Sequence, residues 1–390
     1  MVWFALMSLF STCDIFCNVV DNYGDIGVCW RLARQLAAEH GLTVRLWVDD
    51  LESFGKICSD IVPRRESQRS HNVEVRWWRE PFPEVGAADA VIEAFACNPP
   101  ASYAAAMAAR TPKPAWINLE FLSAEDWVQG CHGLPSPQPA VGLTKYFFFP
   151  GFVAGTGGLL AEQGLLRARD RFQRTSAEQA RFWERVGLGQ PRTDEIQVSL
   201  FCYAHPGIAG LLRAWSDSGA HVRCLVPEGI AADALSAFFE TQNLAAGTVL
   251  REGGLEVRIF SFLDQDDYDR LLWACDFNLV RGEDSFVRAQ WAARPFLWHI
   301  YPQNERAHWP KLLAFLDLYC RELPGDVAHA VRAFWEAWNK GDEALIKAAW
   351  TNFWKHRTEL QTHASRWPEI LAKPGDLANN LAGFCANLLK

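Results

Sequence analysis

The chain has 390 residues, too many for one ordinary hydrophobic core, so two domains are expected. Its 49% hydrophobic and 22% charged residues fit a folded globular protein and exclude a disordered one. A net charge of −8 excludes a broad basic surface for nucleic acid or anionic membrane, and it suits a partner with a basic tip.

The first ten residues, MVWFALMSLF, are apolar with no basic residue before them. They read as an extension before the first strand, not as a signal peptide. No apolar run of 18 residues follows that could span a membrane. Asp14–Val20 reads as an apolar strand, Gly24–Gly27 as a turn, and 28–39 as a helix. Residues 43–48, 90–93, 115–118 and 146–149 read as further short strands, and the charged stretch 60–72 as a surface loop. Short strands alternating with helices imply a parallel sheet covered on both faces.

A glycine-rich turn (Gly155, Gly157, Gly158) and a charged amphipathic helix over 151–195 read as the end of the first domain plus a linker. A second alternating set follows. Its strands are 197–203, 222–226, 256–260, 277–280 and 296–299. Its helices are near 206–217, 231–241, 266–274, 284–293 and 305–316. The tail from 327 is helical and tryptophan-rich, and its last helix, roughly 376–389, crosses back to the first domain. The expected division is therefore 1–190 with 376–390, and 191–375. The fold class is α/β. Doubly wound domains of this kind place ligands at the carboxyl ends of their strands, here in a shared crevice.

Two glycine-acid junctions fall at such ends. In the first, Asp21-Asn22-Tyr23-Gly24-Asp25-Ile26-Gly27, the acids either cap the turn and helix or serve a ligand, with a carboxylate well placed as general base. In the second, Arg281-Gly282-Glu283-Asp284-Ser285, the acids either favour a helix dipole or accompany an anion site. An arginine and a serine at a helix start suit a diphosphate: the free N–H groups attract anions and the guanidinium clamps oxygens. Phe201, Tyr203, Phe262, Gln265, Tyr268 and Tyr301 sit near strand ends and loops, where stacking plus a polar edge contact holds a base; ordinary core packing is the competing reading.

Other chemistries find little support. There is no HExxH, no GxSxG elbow and no P-loop. The eleven cysteines form no CxxC pair, so a zinc site is not expected, Cys13, Cys17 and Cys29 read as core, and the compartment is a reducing cytoplasm. His132, His205, His299 and His308 are scattered and are assigned no catalytic part. Asp264-Gln265-Asp266 and Asp267-Tyr268-Asp269 have a DxD spacing that a metal could use, but acids at a helix start are the simpler reading.

DNYGDIGV followed by Trp30-Arg31-Leu32, then WINLEFLSAE at 116–125, then RGEDSFVRAQ…WHIYPQ at 281–303, resemble the bacterial protein-arginine rhamnosyltransferases of elongation factor P (the EarP family). The likeness runs in order along nearly the whole chain. It implies a GT-B fold, two Rossmann-like domains facing a central cleft. It implies an inverting glycosyltransferase moving L-rhamnose from dTDP-β-L-rhamnose to an arginine of elongation factor P, without a metal or other cofactor. On matching positions, Asp25 becomes the general base, Asp21 its companion acid, and Glu283 an acid needed for activity. Arg281, Asp284 and Ser285 become the diphosphate turn. Phe201, Tyr203, Phe262, Gln265, Tyr268 and Tyr301 become the nucleotide and sugar pocket. Tyr23 stands where a phenylalanine can occur, Ser261-Phe262 replaces Pro-Phe, and the apolar N-terminal extension lies outside the likeness. Another GT-B sugar-nucleotide enzyme, such as an epimerase or a small-molecule glycosyltransferase, is the alternative; a non-enzymatic binding module is a third.

Overall fold

A computed structural model describes residues 10–390, so all of the apolar extension but Phe10 lies outside the described residues. Two compact units emerge: residues up to 163 together with 369–390, and residues 164–368.

The first unit is built on β1 (Thr12–Cys17), β2 (Thr43–Val48), β3 (Ser67–Ser70), β4 (Val73–Trp77), β5 (Ala90–Ala94), β6 (Ala115–Leu119), β7 (Pro135–Gln138) and β8 (Leu143–Phe148). They form one sheet in the order β3-β4-β2-β1-β5-β6-β8-β7. The six central strands are parallel; the edges β3 and β7 are antiparallel to their neighbours. β5 (AVIEA) and β6 (AWINL) are buried throughout, as strands covered on both faces must be. The one charge in β5, Glu93, is satisfied by Lys145 Nζ at 2.5 Å and Trp116 Nε1 at 3.1 Å. Helices α1 (Gly24–His40), α2 (Leu51–Ile57), α3 (Ala101–Ala109) and α4 (Trp127–Cys131) connect the strands.

The second unit holds β9 (Glu195–Leu200), β10 (His221–Pro227), β11 (Val249–Glu252), β12 (Leu255–Phe260), β13 (Phe277–Arg281) and β14 (Phe296–His299), in the order β11-β12-β10-β9-β13-β14. Only β11 runs antiparallel. Its helices are α5 (Leu165–Arg174), α6 (Ser176–Arg185), α7 (Gly207–Ser216), α8 (Ala232–Phe239), α9 (Gln265–Ala274), α10 (Asp284–Trp291), α11 (Trp309–Tyr319), α12 (Gly325–Lys340) and α13 (Glu343–Lys355).

In each sheet the chain starts centrally, winds one way, then returns and winds the other. The reversal falls between β1 and β5 in the first unit and between β9 and β13 in the second. Loops diverge there, and the carboxyl ends of the flanking strands leave a crevice for a ligand.

Several sequence expectations are corrected. The division falls at 163/164, not 190, because α5 belongs to the second unit: Arg169 donates to the Trp291 carbonyl at 2.8 Å, and Gln173 to the Trp273 and Ala292 carbonyls at 3.0 Å. The second break falls at 368/369 within α14 (Arg357–Leu371), not at 375. Residues 67–70 form a strand, not a loop; Gln68 and Ser70 are buried although polar, so apolar alternation could not reveal it. β1 stops at Cys17, because the amides of Val19 and Val20 turn to the carboxylates of Asp49 and Asp25.

The last helix, α15 (Leu377–Leu388), lies in the first unit's core through Leu377, Ala378, Leu381, Cys385 and Ala386. Asp376 anchors it, accepting from Ala161 N at 3.0 Å, Gln35 Nε2 at 3.0 Å and Asn379 N at 2.9 Å. Gly158, at φ +76°, passes directly against the Gly375 carbonyl, where any side chain would collide.

Candidate active site

The first unit's crevice is made by the β1–α1 loop. Gly24 N donates to the Asp21 carbonyl at 2.7 Å and starts the helix. Asp25 sits in the first turn of α1, yet it is not the cap: the cap position is Tyr23, which makes no side-chain capping bond. Instead Asp25 Oδ2 reaches back to accept from Val20 N and Asp21 N, both at 2.8 Å. The carboxylate therefore braces the loop through one oxygen, and no described residue donates to Oδ1. Asp25 is 5% exposed. Burial lifts its carboxyl above the ordinary aspartate range; the two amides pull it back, and the charge of Asp49 adds to the lift. A carboxylate made more basic than usual, beside a crevice, can take a proton. Asp21 lies four residues earlier on the same loop and gives its amide to Asp25.

The second crevice is made by the ends of β9 and β13. At the end of β13 the chain turns through Gly282, at φ +63°, into α10. Ser285 holds this turn: its hydroxyl donates to the Arg281 carbonyl and accepts from Arg281 N at 3.2 Å. Trp298 Nε1 donates to the Gly282 carbonyl at 2.7 Å. The Arg281 guanidinium lies over the rings of Phe201 and Tyr203, 4.8 and 4.6 Å from their centroids. It also donates to the Cys202 carbonyl at 3.5 Å. The arginine thus lies against both rings at the strand end. Phe262 and Tyr268 meet Phe201 edge-on at 6.2 and 5.8 Å, and Tyr301 meets Tyr203 at 5.5 Å. Gln265 Nε2 donates to Asp284 Oδ2 at 3.3 Å. Burial raises the Tyr268 phenol, opposed by the Ser285 hydroxyl. Glu283 Oε2 stands 3.8 Å from Lys311 Nζ.

The structure therefore gathers Arg281, Glu283, Asp284, Ser285, Phe201, Tyr203, Phe262, Gln265, Tyr268 and Tyr301 in the second unit, and Asp21 with Asp25 in the first. In the second DxD pair, Asp267 is engaged with Arg185 and Arg270, and Asp269 with the buried Arg288. No group of three or more His, Cys, Asp and Glu side chains placed for a metal occurs among the described residues. No disulfide links the described cysteines, and Cys13, Cys17 and Cys29 are buried. No described helix is long and apolar enough to cross a membrane.

Sequence reasoning missed Asp49 and Lys311, whereas His299, assigned no catalytic part, takes a structural place. His299 is buried, and its Nδ1 accepts from Tyr203 N at 3.3 Å. Burial pushes it well below the usual histidine range, with His205 and Arg281 adding to the effect, so the imidazole behind the arginine is neutral. Lys311, inside a helix, gave no signal in the sequence.

The profile of a family described as Elongation-Factor P (EF-P) rhamnosyltransferase EarP matches residues 13–386. The chain belongs to this family. A protein-arginine rhamnosyltransferase of Pseudomonas putida is 50% identical over 379 residues, covering 97% of this chain and 100% of that protein. A solved structure, described as the structural basis for EarP-mediated arginine glycosylation of translation elongation factor EF-P, is 36% identical with a TM-score of 0.70, covering 97% of this chain and 99% of that one. A spinosyn rhamnosyltransferase, solved with thymidine diphosphate, aligns at TM-score 0.53 and 11% identity over 96% of this chain and 99% of its own; it shares the fold alone. The family member described here is accordingly a GT-B glycosyltransferase with two Rossmann-like units.

Proposed function

We propose that the chain transfers L-rhamnose from dTDP-β-L-rhamnose to one arginine of elongation factor P, with inversion at the anomeric carbon. The observation that carries this reading is the Arg281 turn: a guanidinium laid over two aromatic rings at a helix start, where a nucleoside diphosphate finds both a stacking wall and charge.

The acceptor sets the difficulty. An arginine has a pKa of about 12.5–13.8, so neutralising it at pH 7 costs about 8–9 kcal/mol. One general base contributes only about 10²–10⁴-fold. Asp25 therefore takes the proton as attack proceeds, not before it, and orientation of the guanidinium supplies much of the remainder. Glu283, its charge balanced by Lys311, and Asp21 are carboxylates suited to holding that guanidinium.

In a single displacement the guanidine nitrogen forms a bond to the anomeric carbon while the bond from that carbon to the diphosphate oxygen breaks. The electron pair leaves with dTDP, and the proton goes to Asp25. Attack opposite the leaving group turns a β donor into an α product. Arg281 and the amides at the start of α10 meet the growing diphosphate charge. No metal is required on this reading, and the reaction belongs in the cytoplasm, where its acceptor would be made.

Mass spectrometry of elongation factor P, incubated with the protein and dTDP-rhamnose, tests the proposal. One added deoxyhexose, localised to an arginine, is the expected result. A sugar-nucleotide product with the acceptor unmodified would favour an epimerase instead.

A further inference from the structure

β13 ends at Arg281 between two neighbours, β9 on one side and β14 on the other. The transfer reading draws on residues that follow β9 and β13. β14 ends at His299, which stands opposite Arg281 in the parallel register and takes no part in the displacement itself.

His299 is polar and yet only 4% exposed. Its Nδ1 accepts from Tyr203 N at 3.3 Å, so one imidazole spans the end of β13 and holds the chain that leaves β9. Phe201 N still donates to the Leu279 carbonyl at 3.0 Å, but Tyr203, two residues on, lies past the strand. A backbone amide in such a place needs an acceptor from elsewhere. The two rings also meet edge-on, with centroids 5.1 Å apart. His299 therefore touches both the backbone and the ring of Tyr203, the ring that lies 4.6 Å from the Arg281 guanidinium.

The acceptor at this position has to be uncharged. A protonated imidazole carries a hydrogen on both nitrogens, so it accepts nothing and repels a neighbouring guanidinium. A carboxylate would pair with Arg281 and compete with the diphosphate. Burial keeps His299 well below the usual histidine range and lowers its neighbour His205 to about 4, so both rings are neutral. The imidazole is also held from behind. Asn339 of α12 accepts from Ile300 N at 3.1 Å and donates to the Trp298 carbonyl at 2.9 Å, clamping the backbone on either side of His299. The buried Trp338 meets His299 and His205 edge-on, at 5.9 and 4.2 Å. A line of buried groups thus runs from α12 through the end of β14 to Tyr203, and from Tyr203 to Arg281.

We propose that His299 is a positioning residue for the donor: through the Tyr203 amide it sets the ring beside the Arg281 guanidinium, and with it the affinity for the nucleoside diphosphate. The proposal rests on the donor reading above. His299 touches no reacting atom, so its effect falls on donor binding and leaves the displacement and the acceptor alone.

Calorimetry with dTDP, together with steady-state transfer varying each substrate in turn, tests it. His299→Phe keeps a ring against Tyr203 and removes the acceptor. It is expected to weaken dTDP binding about tenfold and to raise donor KM alike, with acceptor KM and saturating kcat within about twofold. His299→Asn, whose amide oxygen can stand where Nδ1 does, restores binding to within about threefold; His299→Gln, whose oxygen lies one bond farther out, does not. The two amides are alike in polarity, so their difference serves even if the phenylalanine variant does not fold. In a Tyr203→Ala background, His299→Phe adds little further loss, as a residue acting through Tyr203 must. Equal dTDP affinity in the asparagine and glutamine variants, or an equal rise in both KM values, overturns the positioning role and leaves the donor reading intact. If the unsubstituted protein does not bind dTDP, the donor reading itself falls and the positioning role falls with it.

Discussion

The two strand-reversal loops occupy the same topological position and carry opposite chemistry. In the first unit the β1–α1 loop is organised by a carboxylate: Asp25 ties the Val20 and Asp21 amides together, and burial keeps it unusually basic. In the second unit Ser285 holds the turn at the Arg281 backbone, and the guanidinium lies over Phe201 and Tyr203. One architecture thus presents a carboxylate in one copy and a guanidinium in the other, which the proposed reaction would use as proton acceptor and anion clamp, and the few residues after the strand decide which.

Substitutions should separate the two. The largest effect is expected from Asp25→Ala: transfer falls by about 10³-fold or more, from loss of the base and of the loop brace, while dTDP-rhamnose still binds by calorimetry. Retained turnover would remove Asp25 from its role. Arg281→Ala acts in the mirror sense and weakens donor affinity by about 10²-fold, since a charge-assisted contact is lost. Arg281→Lys should recover only part of it, because an ammonium lacks the planar, bidentate fork of the guanidinium; full recovery would show that charge alone matters.

A third, smaller effect concerns pH. On the proposed mechanism Asp25 works deprotonated, and burial raises its pKa, so kcat/KM should fall as pH drops through a value above the ordinary aspartate range. The limb should persist in Arg281→Lys. A profile flat down to about pH 4 would contradict it, since an unperturbed aspartate titrates near 3.9. The smallest effect is structural. Ser285→Ala removes the hydroxyl that bonds both backbone groups of Arg281, and should cost about 1 kcal/mol in chemical denaturation together with a modest loss of donor affinity. An unaltered donor affinity would mean that the turn holds its shape without the serine.

Much of this arrangement is legible in the sequence, and the reasons are local. A strand, a glycine and an acid in succession mark a turn at a sheet's carboxyl edge, so Asp25 and Arg281 stood out. What escaped notice was set by tertiary contact. β3 (SQRS) carries no apolar alternation because it is a short edge strand. Lys311 reaches Glu283 from a helix begun 25 residues later than α10, and His299 supports Tyr203 across the sheet. The unit boundary was misplaced because α5 reads as a surface helix, and its attachment rests on Arg169, Phe172 and Gln173.

The return of α15 has a consequence for how the protein is made. Leu377, Leu381 and Cys385 fill the hydrophobic interior of a unit whose strands all lie before residue 163. As the chain leaves the ribosome, residues 164–368 have every part they need before that interior can close. The half synthesised first must therefore wait, with an unfilled groove, for the half synthesised second to finish.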